Sequence, residues 1–180
     1  MAQSIRDQAT VRRAGEQDLR AMAEINTASF AGNQGDVEKA LEWVRCWFRA
    51  FPLYQYFVVQ VEDKVAGYVG WQLHGGFLRS QPVIELEQVA VAEQFQGQGL
   101  APRLCEETMD MVVEWVCAQN PHVQESVIAV VWVYTINDPA LAVYARQFRD
   151  QVQGMRNQYG HRSENMLRAT IPIDHHRQRL

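Results

Sequence analysis

One stretch constrains the fold more than any other: Val83 to Leu104, VIELEQVAVAEQFQGQGLAPRL. It starts with alternating apolar residues, which read as a β-strand over Val83–Val91. A Gly-x-Gly at Gly97 and Gly99 then leads into a helix running to about Gln119. Directly after it, Ser126 to Thr135 is a second strand-length run rich in β-branched residues. A strand, a helix and another strand in succession require a parallel crossover.

The rest of the chain fits around this unit. Thr10–Arg13 reads as a short strand. A helix with Leu19, Met22, Ile25 and Phe30 on its apolar face follows, broken by Gly32 to Gly35. Asp36 is an N-cap for a second helix, with Ala40, Leu41, Val44, Trp47 and Phe48 on one face and Pro52 ending it. Tyr54–Val61 and Val65–Leu73 flank a Glu62-Asp63-Lys64 turn, the pattern of a β-hairpin. The long helix carries Leu100, Leu104, Thr108, Met111, Val112 and Trp115 as its inner stripe. Asp138-Pro139 opens a last helix, with Leu141, Val143, Tyr144 and Phe148 apolar and Gly154 as its stop. Residues 155–159 and 165–173 read as a closing hairpin around Gly160-His161. The expected order is β-α-α-β-β-β-α-β-α-β-β, a mixed sheet with helices on its faces in the α/β class.

Composition closes off several function classes. With 180 residues, 47% hydrophobic and 21% charged, the chain is expected to be one domain over residues 1–180, with residues 1–9 and 174–180 as frayed tails. The net charge is −4 and the basic residues are scattered, which argues against nucleic-acid binding. No apolar run approaches the ~20 residues that span a bilayer. Met1–Gln8 has no apolar core and is not read as a secretory signal. Cys46, Cys105 and Cys117 have no CxxC spacing, and the last two share a helix. They read as small buried hydrophobes in a reducing, cytoplasmic setting. His74, His122, His161, His175 and His176 form no spaced ligand set, so no metal is expected.

Gly-x-Gly before a helix is an anion cradle. The first-turn N–H groups have no internal acceptor, and the helix dipole adds about half a positive charge. Glycine lets a phosphate approach the backbone. A glycine-softened loop before a core helix would look the same in sequence. A dinucleotide fingerprint needs a small residue three positions after Gly99, where Pro102 stands. A phosphate-loop NTPase needs a Gly-Lys-Ser/Thr that is absent.

Gln94-x-x-Gly97-x-Gly99 resembles the (Arg/Gln)-x-x-Gly-x-(Gly/Ala) motif of the GNAT superfamily, the acyl-CoA-dependent N-acetyltransferases. The strand ending Gln88-Val89-Ala90-Val91 is similar to that family's fourth strand, and Asn137-x-x-Ala140-x-x-x-Tyr144 to the Asn and Tyr of the helix after its fifth. The resemblance implies that acetyl-CoA donates an acetyl group to an amine. It places the CoA pyrophosphate on backbone N–H groups of Phe95, Gln96, Gly97, Gln98, Gly99 and Leu100. It pairs the pantetheine arm with Val89 and Val91, entering where a bulge splays the fourth strand from the fifth. The amide of Ala90 or Val91 would polarise the thioester carbonyl. Asn137 would bind the pantetheine or thioester region, a role compatible with capping its helix. Tyr144 would protonate the leaving thiolate, the alternative being a core Tyr bonded to a backbone carbonyl. Phe148 departs from the family pattern, standing where a Gly often follows the Tyr. A longer final helix would follow from that.

Glu85 and Glu87 share one strand face, and burying both is costly unless they are solvated or used. They are expected to line a watery cleft. Glu85 resembles a family Glu that relays a proton through water. Either could be the base, or both could simply be solvated or attract a cationic substrate. Phe30, Trp43, Trp47, Phe51, Tyr54 and Tyr56 are core residues or an aromatic wall for an amine, and His74-Gly75-Gly76-Phe77 a loop over the site. The expected acceptor is a small-molecule or peptide amine. A non-catalytic acyl-CoA-binding regulator, an O-acyltransferase and a longer-chain acyltransferase are the alternatives. Strand-edge pairing in proteins of this fold makes a homodimer a further expectation.

Overall fold

The computed structural model describes residues 4–30, 35–74, 78–156 and 163–173, with the side chains of 151–156 left aside. The elements run α1 (Ile5–Gln8), β1 (Thr10–Arg13), α2 (Leu19–Ser29), α3 (Val37–Phe48), β2 (Tyr54–Val61), β3 (Lys64–Leu73), β4 (Val83–Val91), α4 (Leu100–Gln119), β5 (Ser126–Tyr134), α5 (Asp138–Tyr144), β6 (Asp150–Arg156) and β7 (Glu164–Pro172). This is the mixed α/β order expected from the sequence, with one added helix at the start. The chain divides into two compact units, Met1–Trp71 with Gln88–Thr108, and Gln72–Glu87 with Met109–Leu180.

In the first unit β1 pairs antiparallel with β2, from Thr10↔Gln60 to Arg13↔Phe57, and the strand order is β1-β2-β3-β4. Leu19, Met22, Ile25, Ala40, Leu41 and Val44 are buried in one cluster with Tyr54, Tyr56, Val58 and Tyr68. Their helical spacing therefore marks the inner faces of α2 and α3. Asp36 caps α3 as expected, accepting from the Lys39 N–H at 3.0 Å. Arg12 and Asp18 form a two-pronged ion pair at 2.6 and 2.9 Å, and Asp18 also accepts from the Gly15 N–H at 2.8 Å. Trp71, fully buried, donates its indole N–H to Thr108 at 2.8 Å, which places the Thr of the α4 stripe in the core.

The N-terminal segment differs from the expected frayed tail. Ser4 caps a single helical turn, its Oγ accepting from the Asp7 N–H. A second tie comes from α4, where Arg103 donates to the Arg6 carbonyl. A sequence pattern cannot register a turn this short, held from so far along the chain.

In the second unit β4 and β5 run parallel, from Val83↔Ile128 to Leu86↔Val131. The order continues β5-β7-β6, both pairings antiparallel. Met111 and Trp115 are only half-buried, and Val113 and Val116 are buried instead. The expected stop of the last helix at Gly154 is wrong. That helix ends at Tyr144 with Ala145 as its C-cap, and β6 starts at Asp150 rather than Met155. Gly154 lies inside β6, where the register against β7 shifts between Val152 and Met155. A glycine in a strand at a register shift is a bulge signal, and in sequence alone it reads equally as a helix stop. Gly32, Gly75-Gly76-Phe77, Gly160-His161, His175 and His176 lie outside the described residues.

Candidate active site

The turn after β4 is built by its own backbone. The Ala92 N–H donates to Ala66 at 2.9 Å, tying the end of β4 to β3. Glu93–Phe95 is a short 3-10 turn in which the Phe95 N–H donates to Ala92 and the Gln96 N–H to Glu93. Gln96 then turns its side chain back to the Val91 carbonyl at 3.0 Å. Gly97 and Gly99 take φ of +73° and +74°. A Cβ on Gly97 would meet nothing within 4 Å, so glycine is required there by backbone conformation, not by space. Pro102 sits in the first turn of α4, where its missing N–H costs nothing.

This geometry narrows the expected cradle. The amides of Phe95 and Gln96 are used inside the turn. Among the described residues, the N–H groups of Gly97, Gln98, Gly99 and Leu100 make no backbone hydrogen bond. Gly97 and Gln98 are exposed and Gly99 is half-buried. Four consecutive donors at the N-terminus of a 20-residue helix suit an anion of more than one phosphate.

Along β4, Val89 is half-buried, and Ala90 and Val91 are buried. Gly67 on β3 lies so close to this stretch that a Cβ there would stand 2.7 Å from the Ala90 carbonyl. Beside it, Asn26 donates to the Tyr68 hydroxyl at 2.6 Å, and Tyr68 donates to Gln88 at 3.2 Å. Burial pushes the Tyr68 phenol well above its usual range, so it stays a neutral donor. A chain of rings leads away from it: Tyr68, Tyr56, Tyr54, Trp47 and Trp43, with successive centroids 5.9, 4.9, 4.7 and 5.7 Å apart. Tyr54, Tyr56 and Tyr68 are core residues, whereas Trp43 is 46% exposed. The two roles open to these aromatics thus separate along one chain, core at one end and surface at the other. Phe51 is also exposed, with the Arg13 guanidinium 4.9 Å from its ring centre.

In the second unit, Glu85 is buried rather than open to a watery cleft, and its Oε2 lies 2.6 Å from His74 Nε2. The side chains are 7% and 45% exposed, so His74 is the wetter partner. Glu87 is half-buried. In sequence His74 reads only as part of a loop. The signal that finds it is strand pairing: its N–H donates to the Val83 carbonyl, which sets it across from the start of β4. Asn137 caps α5, its Oδ1 accepting from the Ala140 N–H at 3.2 Å. Tyr144 is buried at the end of that helix, edge-on to Phe148 at 6.0 Å. Phe148 is buried in the turn after the helix, its N–H bonded to the Tyr144 carbonyl. Among the described residues, no group of three or more His, Cys, Asp or Glu is placed to hold a metal, and no helix is long and apolar enough to cross a membrane.

These features are those of an acyltransferase fold: a strand, a left-handed glycine turn and a long helix. A family model described as "Acetyltransferase (GNAT) family" matches residues 19–148, and the chain belongs to that family. No curated protein matches the chain significantly. Among solved structures, it is similar to an acetyltransferase of the GNAT family from Streptococcus pneumoniae, with a TM-score of 0.61, 18% identity and coverage of 91% of this chain and 99% of the other. It is also similar to mutant forms of the spermidine/spermine N-acetyltransferase SpeG from Vibrio cholerae, at 0.64, 16%, 91% and 95%. The ribosomal L7/L12 alpha-N-protein acetyltransferase RimL in complex with coenzyme A gives 0.66, 15%, 91% and 94%. At these identities the likeness establishes the fold.

Proposed function

We propose that the protein transfers the acetyl group of acetyl-CoA to a primary amine by direct attack in a ternary complex. The observation that carries this reading is the run of four N–H groups without a backbone partner, Gly97 to Leu100, leading into α4 after a β4 ending in Val89-Ala90-Val91. Those amides hold the diphosphate, and the β4 backbone orients the acyl arm. The amide of Ala90 or Val91 polarises the thioester carbonyl.

An amine with a pKa near ~10.4 is almost wholly protonated at neutral pH and must lose a proton to attack. Glu85 takes that proton, directly or through water, with His74 holding one of its oxygens. Glu87 is the second candidate for this role. The amine nitrogen bonds to the carbonyl carbon and the C–S bond breaks. The acylated nitrogen gives up its second proton as Tyr144 passes its phenolic proton to the departing thiolate, which restores the phenol, and Asn137 orients the arm. Two of the similar structures support an amine acceptor, one a polyamine acetyltransferase and the other a protein alpha-N-acetyltransferase. Acceptors of both kinds, small molecule and peptide, therefore belong in the test.

The test is thiol release from acetyl-CoA across a panel of polyamines, amino acids and peptide N-termini. Tyr144→Phe is expected to bind CoA normally and to lose roughly 10²-fold or more in kcat. Glu85→Gln is expected to lose roughly 10²-fold in kcat with CoA affinity kept. Coenzyme A binding with no turnover on any acceptor would instead favour a non-catalytic acyl-CoA-binding protein. A Tyr144→Phe variant as fast as wild type would end the acid assignment.

A further inference from the structure

The diphosphate turn has an electrostatic deficit. Residues 92–101, AEQFQGQGLA, contain no Lys or Arg and one carboxylate, Glu93. Coenzyme A brings a diphosphate and a 3′-phosphate, and amides with a helix dipole offset only part of that charge. Arg103 is the first cation on α4, but its Nε is committed to Glu107 at 2.5 Å and its Nη1 to the Arg6 carbonyl.

That second bond has a consequence. It pins α1 beside the turn, and the Arg6 side chain follows. A Cβ on Gly99 would stand 3.5 Å from Arg6 Cδ, ordinary van der Waals contact, so the Arg6 stem lies over the second glycine. Arg6 is exposed, and among the described residues its guanidinium forms no ion pair. The neighbouring Asp7 carboxylate is occupied locally by the Ser4 hydroxyl at 2.7 Å.

We infer that Arg6 is the cationic ligand of the CoA diphosphate, delivered to the Gly97–Gly99 turn by the N-terminal helix that Arg103 straps to α4. This rests on the proposed acetyl-CoA reading of the turn. The guanidinium extends beyond Cδ and reaches an anion seated on the Gly99 and Leu100 amides. A planar donor fork suits two phosphate oxygens.

Calorimetric titration of the protein with three probes tests this: coenzyme A, dephospho-coenzyme A and pantetheine. For coenzyme A, Arg6→Gln is expected to raise Kd about tenfold, the size of one charge-assisted hydrogen bond. The same factor is expected with dephospho-coenzyme A, which keeps the diphosphate. No change is expected with pantetheine, which has no phosphate. Arg6→Lys should restore part of the affinity, and the gap should narrow with added KCl. Arg20→Gln, on the exposed side of α2, serves as the charge control.

Failure of wild type to bind coenzyme A would remove the proposed function itself. Tight binding by wild type with an equal Kd for Arg6→Gln would overturn the Arg6 assignment alone. A loss confined to coenzyme A and absent with dephospho-coenzyme A would put the interaction on the 3′-phosphate and overturn the diphosphate assignment. The tie between α1 and α4 runs through the Arg6 carbonyl, which the substitution keeps, so an unchanged thermal midpoint separates a binding defect from misfolding.

Discussion

Gly97→Ala isolates the backbone requirement of the turn. At φ +73° an alanine meets its own carbonyl, at a cost of about 1–2 kcal/mol. No packing term adds to this, because a Cβ there has nothing within 4 Å. Alanine also stiffens the unfolded chain, which returns roughly 0.4–1 kcal/mol. The expected net loss is about 1 kcal/mol, or roughly 0.5 M in urea midpoint at a slope of about 2 kcal/mol/M. If the turn relaxes instead of bearing the strain, one or more of the open amides is re-aimed. Stability is then kept, and CoA affinity falls about tenfold for each amide turned away from the phosphates. Urea melts and CoA titration on the same preparation measure both quantities. Gly97→Asn should lose less of either, since Asn tolerates the left-handed region better. Alanine with unchanged midpoint and unchanged CoA affinity would refute the reasoning, since strain must appear in one or the other.

Two further outcomes concern ionisation and thiol exposure. Burial raises the Asp18 pKa, but the Arg12 hydrogen bonds and the Gly15 amide outweigh it and hold the carboxyl below its usual range. Its contribution is therefore complete above the unfolded value of about 3.9 and is lost as pH falls through the folded one. The stability gap between wild type and Asp18→Asn should be flat above about pH 5 and close in more acid solution, a trend that urea melts at several pH values would confirm or contradict. For the thiols, Cys46 is exposed, not buried as expected, while Cys105 and Cys117 are buried and burial pushes the Cys105 thiol up to about 12. A thiol-specific reagent should titrate one cysteine quickly in the native protein and the other two only on denaturation, and a second fast thiol would contradict the packing of α4.

Periodicity and punctuation place the elements around the turn because those signals are local. The alternation in Val83–Val91, the two glycines before Leu100 and the cap at Asn137 each act over a few residues. The same locality produces the error at Gly154, since a glycine that stops a helix and one that sits at a strand bulge are the same letter. Cys46 is misjudged for a related reason: composition says a residue is apolar, but only the neighbouring elements decide whether anything covers it.

By itself the sequence determined the strand–turn–helix order, the glycines the turn cannot do without, and the carboxylates and tyrosine that are candidates for proton transfer. Only the tertiary structure decided their surroundings. His74 reaches Glu85 because two strands pair, Tyr68 meets Asn26 because a helix packs on the sheet, and Arg6 meets Gly99 because a guanidinium 97 positions away binds its carbonyl. Such contacts depend on closing long loops of chain. Their free energy comes from packing that no short window of residues contains.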